Sequence, residues 1–453
     1  MTATARPAAA PSILRRLDLA DADSATRATV ERLHCRAAVS NPAVRDAARA
    51  ILDDVRIRGV AAVVDAGSTF GGAPADGRLV IGRAELTAAA DALPADVRAA
   101  LDQAIANVRA VAQAQIPQST TVETAPGVTV ERRWLPLRRV GCYVPGGGAP
   151  LPSSLVMTVV PALVAGVDAI VVASPAGPSG AVDTIVAGTA GLLGVGTLIV
   201  AGGAQAIGAL AFGLPDAGVE PVDRIVGPGN AWVTAAKIEV SAVVGIDLPA
   251  GPSEGMVLAD GDADPVLVAA DLVTQAEHGP DSPAILVTTD PRLADAVEAE
   301  IARLLPHLER RDILRAALDE HGWIVLAPDL RAAIAFVDGY APEHLSIDVA
   351  DAESAAARIR NAGSIFIGPW APESAGDYAT GANHVLPTGG LARSSGPLSV
   401  EAYGRFSQVQ RLDRDGLAAI AATIRTLATT EGLTAHRNAV DARFRDDAEE
   451  PAR

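Results

Sequence analysis

From Arg139 onward the chain alternates short, unbroken apolar runs with helical stretches, and that alternation restricts the fold more than any other feature. Asp168-A-I-V-V-Ala173, Thr197-L-I-V-A-G-G-Ala204 and Ala284-I-L-V-T-Thr289 stay apolar at consecutive positions. A strand of that kind needs cover on both faces, which a parallel sheet flanked by helices supplies. Two such sets are legible. One starts at Gly141–Pro150 and ends with a helix through Ser241. The other starts at Gly255-M-V-L-A-Asp260 and ends with the strand Ser364-I-F-I-Gly368. The expected fold class is α/β: two similar, incomplete Rossmann-like domains, doubly wound and mainly parallel, with small helical N- and C-terminal segments.

A length of 453 residues suits two large domains plus appendages. We expect an N-terminal helical segment over 1–30 and a domain made of 31–125 with 252–392 that carries most of the chemistry. A second domain over 126–251 and a C-terminal helical segment over 393–453 complete the chain. In the N-terminal part, periodicity predicts helices at Val44–Arg58, Ala84–Ala90 and Ala95–Gln115, with short strands near Ala61–Val64 and Val128–Trp134. His34 and Cys35 read as packing residues.

The formal net charge of −17 disfavours nucleic acid and anionic membrane surfaces. Two cysteines, Cys35 and Cys142, form no disulfide framework and no CxxC motif, which suits a reducing cytoplasm. The first residues lack the apolar run of a signal peptide, and Leu155–Ala165 is too short to span a bilayer. A cytoplasmic protein without a membrane partner is expected. One lysine, Lys237, stands among 37 basic residues, which reads either as the bias of the genome towards arginine or as a spot where a guanidinium does not fit.

Candidate chemistry gathers around Asp264–Gly279. Asp264 and Pro265 are helix-start residues, and Gly279 is expected to end the helix in a left-handed turn. Gln275 and His278 then share one face of the last turn and could hold a metal together. Open parallel sheets place ligands beyond the carboxyl ends of their strands. The glycine loops Val144–Pro150, Ala201–Gln205, Val226–Asn230 and Pro249–Glu254 are expected there, although none matches a dinucleotide or P-loop motif. His307 and His321 sit in charged linkers and read as solvated, whereas His278, His344, His384 and His436 each lie in a dense polar string. A divalent cation could take His278, His436 and a carboxylate such as Asp377, with Gln275 as a weaker ligand; these N/O donors accept zinc or manganese alike. Glu343 and His344 could share two separate proton transfers.

Taken together, the strings GCYVPGGGAPLPSS, AGGAQAIGALAFG, VGPGNAWV, LPAGPSE, DLVTQAEHGPDS, YAPEHL, GSIFIGPWAPESAGDYATGANHVLPT and LTAHRNAV resemble histidinol dehydrogenase from about Arg139 to Val440. The resemblance implies a zinc-dependent oxidation of L-histidinol to L-histidine through an enzyme-held aldehyde, consuming two NAD and one water, in the last step of histidine biosynthesis. It implies zinc on Gln275, His278, Asp377 and His436, one ion per subunit. His344 would deprotonate the alcohol and Glu343 would activate the water. Ser253, His384 and Glu431 would line the substrate beside Gln275, His278, His344, Asp377 and His436, with Glu431 facing its ammonium. Tyr143, Gln205 and Asn230 match the positions that hold NAD. The family is a homodimer, so Glu431 and His436 would serve the partner's site. The substrate's imidazole and amine are both competent zinc ligands, so the metal can act as a positioning template.

Three other readings compete with this one. A zinc hydrolase would leave the glycine loops without a purpose. A non-catalytic metabolite binder would not need Glu343 and His344 beside four metal-type ligands. Cys142 would permit a thiohemiacetal route, because aldehyde oxidation often uses a thiolate.

Overall fold

The computed structural model describes residues 13–21, 23–37, 41–146 and 149–445. Gly147 and Gly148 of the expected glycine loop, and all of the first twelve residues, lie outside that set. Two compact units are present: residues 1–116 with 137–403, and residues 117–136 with 404–453.

The larger unit contains two six-stranded sheets. In the first, the order is Arg15–Asp18, Gly322–Leu326, Ala284–Thr288, Gly255–Ala259, His344–Asp348 and Ser364–Ile367, with every neighbouring pair parallel. In the second, it is Val80–Gly82, Thr197–Val200, Ala169–Ser174, Arg139–Tyr143, Arg224–Val226 and Gly245–Ile246. Only the edge strand Val80–Gly82 runs antiparallel there. Setting aside that N-terminal edge strand, each sheet has the order third, second, first, fourth, fifth in chain sequence. Each therefore reverses direction beside its first strand, as a doubly wound sheet does.

Alternate strand residues feed opposite cores, because successive side chains leave opposite faces of a strand. In the second sheet Val140, Cys142, Val172 and Val226 join one apolar cluster with Leu155, Val160 and Val186. Tyr143, Val171, Ala173 and Ile225 join the other, with Leu52, Val55, Ile207 and Val233. The first sheet divides likewise: Val257, Leu286 and Ile324 pack against Val268, Val297 and Leu314, while Met256, Ile285 and Leu345 pack against Phe336 and Val337. Coverage on both faces explains why these strands are continuous apolar runs.

The N-terminal region departs from expectation in three respects. Residues 31–125 were expected to join 252–392, yet Leu52 and Val55 of the helix Pro42–Arg58 enter the core of the second sheet. Leu86, Leu101 and Val108 enter it from the other face, and Val80–Gly82 is its edge strand. The 1–30 segment is not purely helical, because Arg15–Asp18 pairs with Trp323–Leu326 in the first sheet. Ala61–Val64 lies inside the helix Val60–Phe70 rather than in a strand. Cys35 is exposed and so is no packing residue. His34 does pack, its ring 5.0 Å from that of Phe336.

The smaller unit is an antiparallel sheet ordered Gly404–Leu412, Val128–Pro136, Thr120–Ala125, with the helices Arg414–Thr430 and Thr434–Asp441. The expected helical 393–453 segment thus contributes a nine-residue strand before its helices. Trp134 meets Phe406 edge-on, and the Arg132 guanidinium lies over the Phe406 ring. Arg425 and Asp441 link the two helices at 2.6 Å. Among the described residues no helix is long and apolar enough to cross a membrane.

Candidate active site

The expected metal-ligand helix spans Pro265–Ala276, and the Asp264 carboxylate accepts from the Val266 N–H at 2.8 Å. Its C-terminal end differs from expectation. Glu277 caps the helix in right-handed geometry, and Gly279 keeps a negative φ. A turn in which Ser282 N donates to the Gly279 carbonyl reverses the chain instead. Gln275 stays buried while His278, just past the helix, is exposed.

Opposite that helix end lie the starts of two neighbouring strands. Ser253 and Glu254 lead into Gly255–Ala259, and Glu343 leads into His344–Asp348. Glu343 Oε2 accepts from Ser253 Oγ at 2.8 Å and from the Glu254 N–H at 2.9 Å. The same Ser253 Oγ accepts from Gln275 Nε2 at 3.3 Å. The Gln275 amide rests over Gly255, where an added Cβ would sit 2.6 Å from its Oε1. Gly255 is therefore the residue that admits Gln275 to the site. Glu254 is braced in turn by Arg36, whose guanidinium donates to both of its carboxylate oxygens at 2.7 and 3.1 Å and covers the Tyr340 ring.

The histidine rings meet the carboxylates from above this base. His344 Nδ1 lies 3.6 Å from Glu343 Oε2 and 3.8 Å from Glu373 Oε1, and its Nε2 lies 4.0 Å from Asp377 Oδ1. His278 Nε2 is 3.3 Å from Glu373 Oε1 and 3.9 Å from Asp377 Oδ2. The His278 and His344 rings stack with centroids 6.3 Å apart. His384 Nδ1 is 3.0 Å from the Asp377 carbonyl. Glu431 and His436 belong to the smaller unit, and both are exposed.

Burial lifts the Glu343 carboxyl to about 7, against the opposing pull of the His344 charge and the two hydrogen bonds it accepts. Although one edge of His278 stays exposed, the protein packed around its ring disfavours the charge; the hydrogen bond and charge of Glu373 outweigh this and raise the ring to about 9. His344 shifts upward for the same reason, burial being outweighed by Glu373, Glu343 and Asp377. Asp271, one turn before Gln275, rises to about 7 through burial and the neighbouring Glu373. Among the described residues, the ion-pair partners of Glu373 and Asp377 are histidines alone. A group of acids so placed calls for a cation.

The donor set fits a divalent ion. Ligand atoms of His278, Glu373 and Asp377 all lie within 4.8 Å of one another. Among the described residues, Gln275 Oε1 and both ring nitrogens of His344 are buried without a hydrogen-bond partner, an expensive condition unless something else partners those atoms. Glu373 and Asp271 were missed in the sequence. The spacing of Glu373 and Asp377, four apart on the helix Glu373–Tyr378, was the available signal.

A depression of about 450 Å³ opens on the other sheet, lined by Tyr143, Gly146, Gly202, Gly203, Gln205, Asn230 and Trp232 among others. It sits at the carboxyl ends of its strands, as expected, with the helices Gly203–Phe212 and Ala231–Val240 starting beside it. Tyr143 Oη accepts from Gly203 N at 3.2 Å, and Asn230 caps its helix through Trp232 N and Val233 N. The catalytic candidates break the same expectation, because Ser253, Glu343 and His344 lie at the amino ends of their strands. Cys142 is wholly buried and its thiol is pushed up to about 12 by burial, so no thiolate is available from it.

The raised Glu343 carboxyl has a consequence for stability. The folded protein holds a proton there that the unfolded chain releases near the ordinary value of 4.5. Its contribution is fully present below that value and is lost as pH rises through about 7. In metal-depleted protein, Glu343→Gln should therefore raise the melting temperature relative to wild type more at pH 8 than at pH 5. An equal difference at both pH values would contradict the assignment.

Comparison with known proteins agrees with this architecture. A family model described as histidinol dehydrogenase matches residues 34–444. A histidinol dehydrogenase of Leifsonia xyli subsp. xyli is 48% identical, the match covering 93% of this chain and 98% of the relative. One from Mycobacterium tuberculosis is 45% identical over 96% of this chain and 99% of its own length. The crystal structure of histidinol dehydrogenase from Elizabethkingia anophelis superposes with a TM-score of 0.87 at 33% identity, covering 97% of this chain and 99% of that one. With a family match over nearly the whole chain and relatives matched almost end to end, this chain belongs to the histidinol dehydrogenase family of oxidoreductases.

Proposed function

We propose that the protein oxidises L-histidinol to L-histidine in two successive NAD-linked steps on one site, closing histidine biosynthesis. The observation that carries this is the pair Glu343 and His344: a buried, anchored carboxyl raised to about 7 beside an imidazole with both nitrogens unpartnered. Such a pair can manage two distinct proton transfers, one from an alcohol and one from water.

Zinc would be held by Gln275, His278 and Asp377, with His436 supplied by the partner subunit. When bound, it adds positive charge and coordination positions that orient the imidazole and amine of the substrate. NAD would occupy the depression lined by Tyr143, Gln205 and Asn230, where it would supply the hydride acceptor for each oxidation. His344 takes the proton of the alcohol oxygen as the first hydride leaves the carbinol carbon. Glu343, fixed by Ser253 and the Glu254 N–H, takes a proton from the water that hydrates the aldehyde. His344 returns its proton to the aldehyde oxygen as the hydrate forms, and so is free to remove the hydrate's proton during the second oxidation. Ser253 and His384 line the substrate, and Glu431 offers its carboxylate to the ammonium.

The exposure of Glu431 and His436 supports a homodimer in which these residues complete a neighbouring site. A strongly acidic chain suits a cytoplasmic enzyme with a small cationic substrate.

Purified protein supplied with zinc, L-histidinol and excess NAD should form two NADH per substrate consumed, and a strong chelator should abolish the reaction until zinc is restored. Absence of NADH with zinc present would overturn the dehydrogenase reading. For the shared site, inactive His278→Ala and His436→Ala proteins should regain activity once their subunits exchange. Mixed dimers demonstrated by mass spectrometry yet still inactive would show that each site is built from one chain.

A further inference from the structure

The chain's sole lysine lies outside this chemistry, yet it is among the largest fully buried side chains. Lys237 occupies the helix Ala231–Val240, two turns after its cap Asn230. Its Nζ pairs with Asp247 Oδ1, at 2% and 1% side-chain exposure, and also donates to the Gly227 carbonyl at 2.9 Å. The other oxygen of Asp247 accepts from the Gly227 N–H at 2.7 Å. One buried ion pair thus grips both polar groups of a single peptide residue.

Gly227 is where the backbone has least latitude. Its φ is +116°, and a Cβ there would lie 2.2 Å from the Tyr143 carbonyl oxygen. The turn it belongs to, Val226–Asn230, carries Asn230 into the depression beside Tyr143. A residue without a side chain cannot be pinned by packing, so hydrogen bonds must hold it. Lys237 supplies a donor at the carbonyl, and Asp247 an acceptor at the N–H. The more bulky, planar guanidinium of arginine is a poor substitute in such a spot, which accounts for a lysine in a chain otherwise confined to arginine.

We propose that Lys237, paired with Asp247, is a positioning residue that clamps Gly227 and thereby sets the Val226–Asn230 turn for the dinucleotide. The proposal rests on NAD binding in that depression. A merely structural ion pair would behave differently on replacement: removing one partner strands a buried charge, whereas replacing both with apolar residues removes the charge penalty. The double variant Lys237→Met/Asp247→Leu therefore separates charge from clamp. The lost hydrogen bonds should raise KM for NAD about tenfold. The KM for L-histidinol and kcat at saturating NAD should stay within about twofold of wild type, while the melting temperature recovers much of what Lys237→Met alone loses.

A double variant with wild-type KM for NAD would overturn the proposal and leave Lys237 a structural residue. If the double variant does not fold, Lys237→Met alone, which removes the donor to the Gly227 carbonyl, should still raise KM for NAD several-fold while the KM for L-histidinol stays near wild type. An unchanged value there would overturn the clamp as well. Failure of the wild-type protein to reduce NAD at all would instead remove the dinucleotide reading beneath it, so the two failures are told apart by the wild-type control.

Discussion

One carboxylate oxygen, Glu343 Oε2, joins the entrances of two adjacent strands. It accepts from Ser253 Oγ and from the Glu254 N–H, and so ties the start of His344–Asp348 to the start of Gly255–Ala259. Those are the neighbours between which the first sheet reverses its winding direction. The rest of the site leans on this tie. Ser253 Oγ passes the contact on to Gln275, Gly255 leaves room for that amide, and Arg36 holds Glu254 from behind. The His344 ring projects from the same strand start towards Glu373 and Asp377.

The placement at the amino ends of the strands has an electrostatic logic. In a parallel α/β sheet the helices run opposite to the strands, so helix carboxyl ends collect where strands begin. Those ends carry partial negative charge and favour cations. Gln275 lies in the last turn of such a helix, and His278 follows its cap Glu277. At the other sheet the depression lies where strands finish and helices begin, the arrangement that suits phosphates. One fold repeated thus offers a cation-seeking end and an anion-seeking end, and the proposed chemistry uses each for the partner it suits. Residues 247–253 run between the two sheets, from the Asp247 clamp to Ser253.

Much of this was legible in the chain because the signals were local. Continuous apolar runs announced strands covered on both faces, and Asp264-Pro265 announced the metal-side helix. The long strings around Gln275, Glu343 and Asp377 resembled one family, and the comparisons agree with it. What stayed hidden was non-local. No periodicity reveals that Val80–Gly82 pairs with Thr197–Val200, or that Arg15–Asp18 reaches across to Trp323–Leu326. Grouping the helices between Pro42 and Ala114 with the wrong sheet followed from that. Glu373 escaped notice because its partner is His278, some ninety-five positions away. The amino-end location was missed because a general rule about carboxyl ends was applied to a sheet whose chemistry wants a cation.

In the proposed chemistry Glu343 acts on water while His344 serves both oxidations. The direct measurement is to follow Glu343→Gln through each half-reaction separately, with L-histidinol and then with L-histidinaldehyde as substrate. Aldehyde oxidation should fall by about a hundredfold or more, the usual scale for a lost general base, while alcohol oxidation falls far less. Equal loss in both halves would contradict the account.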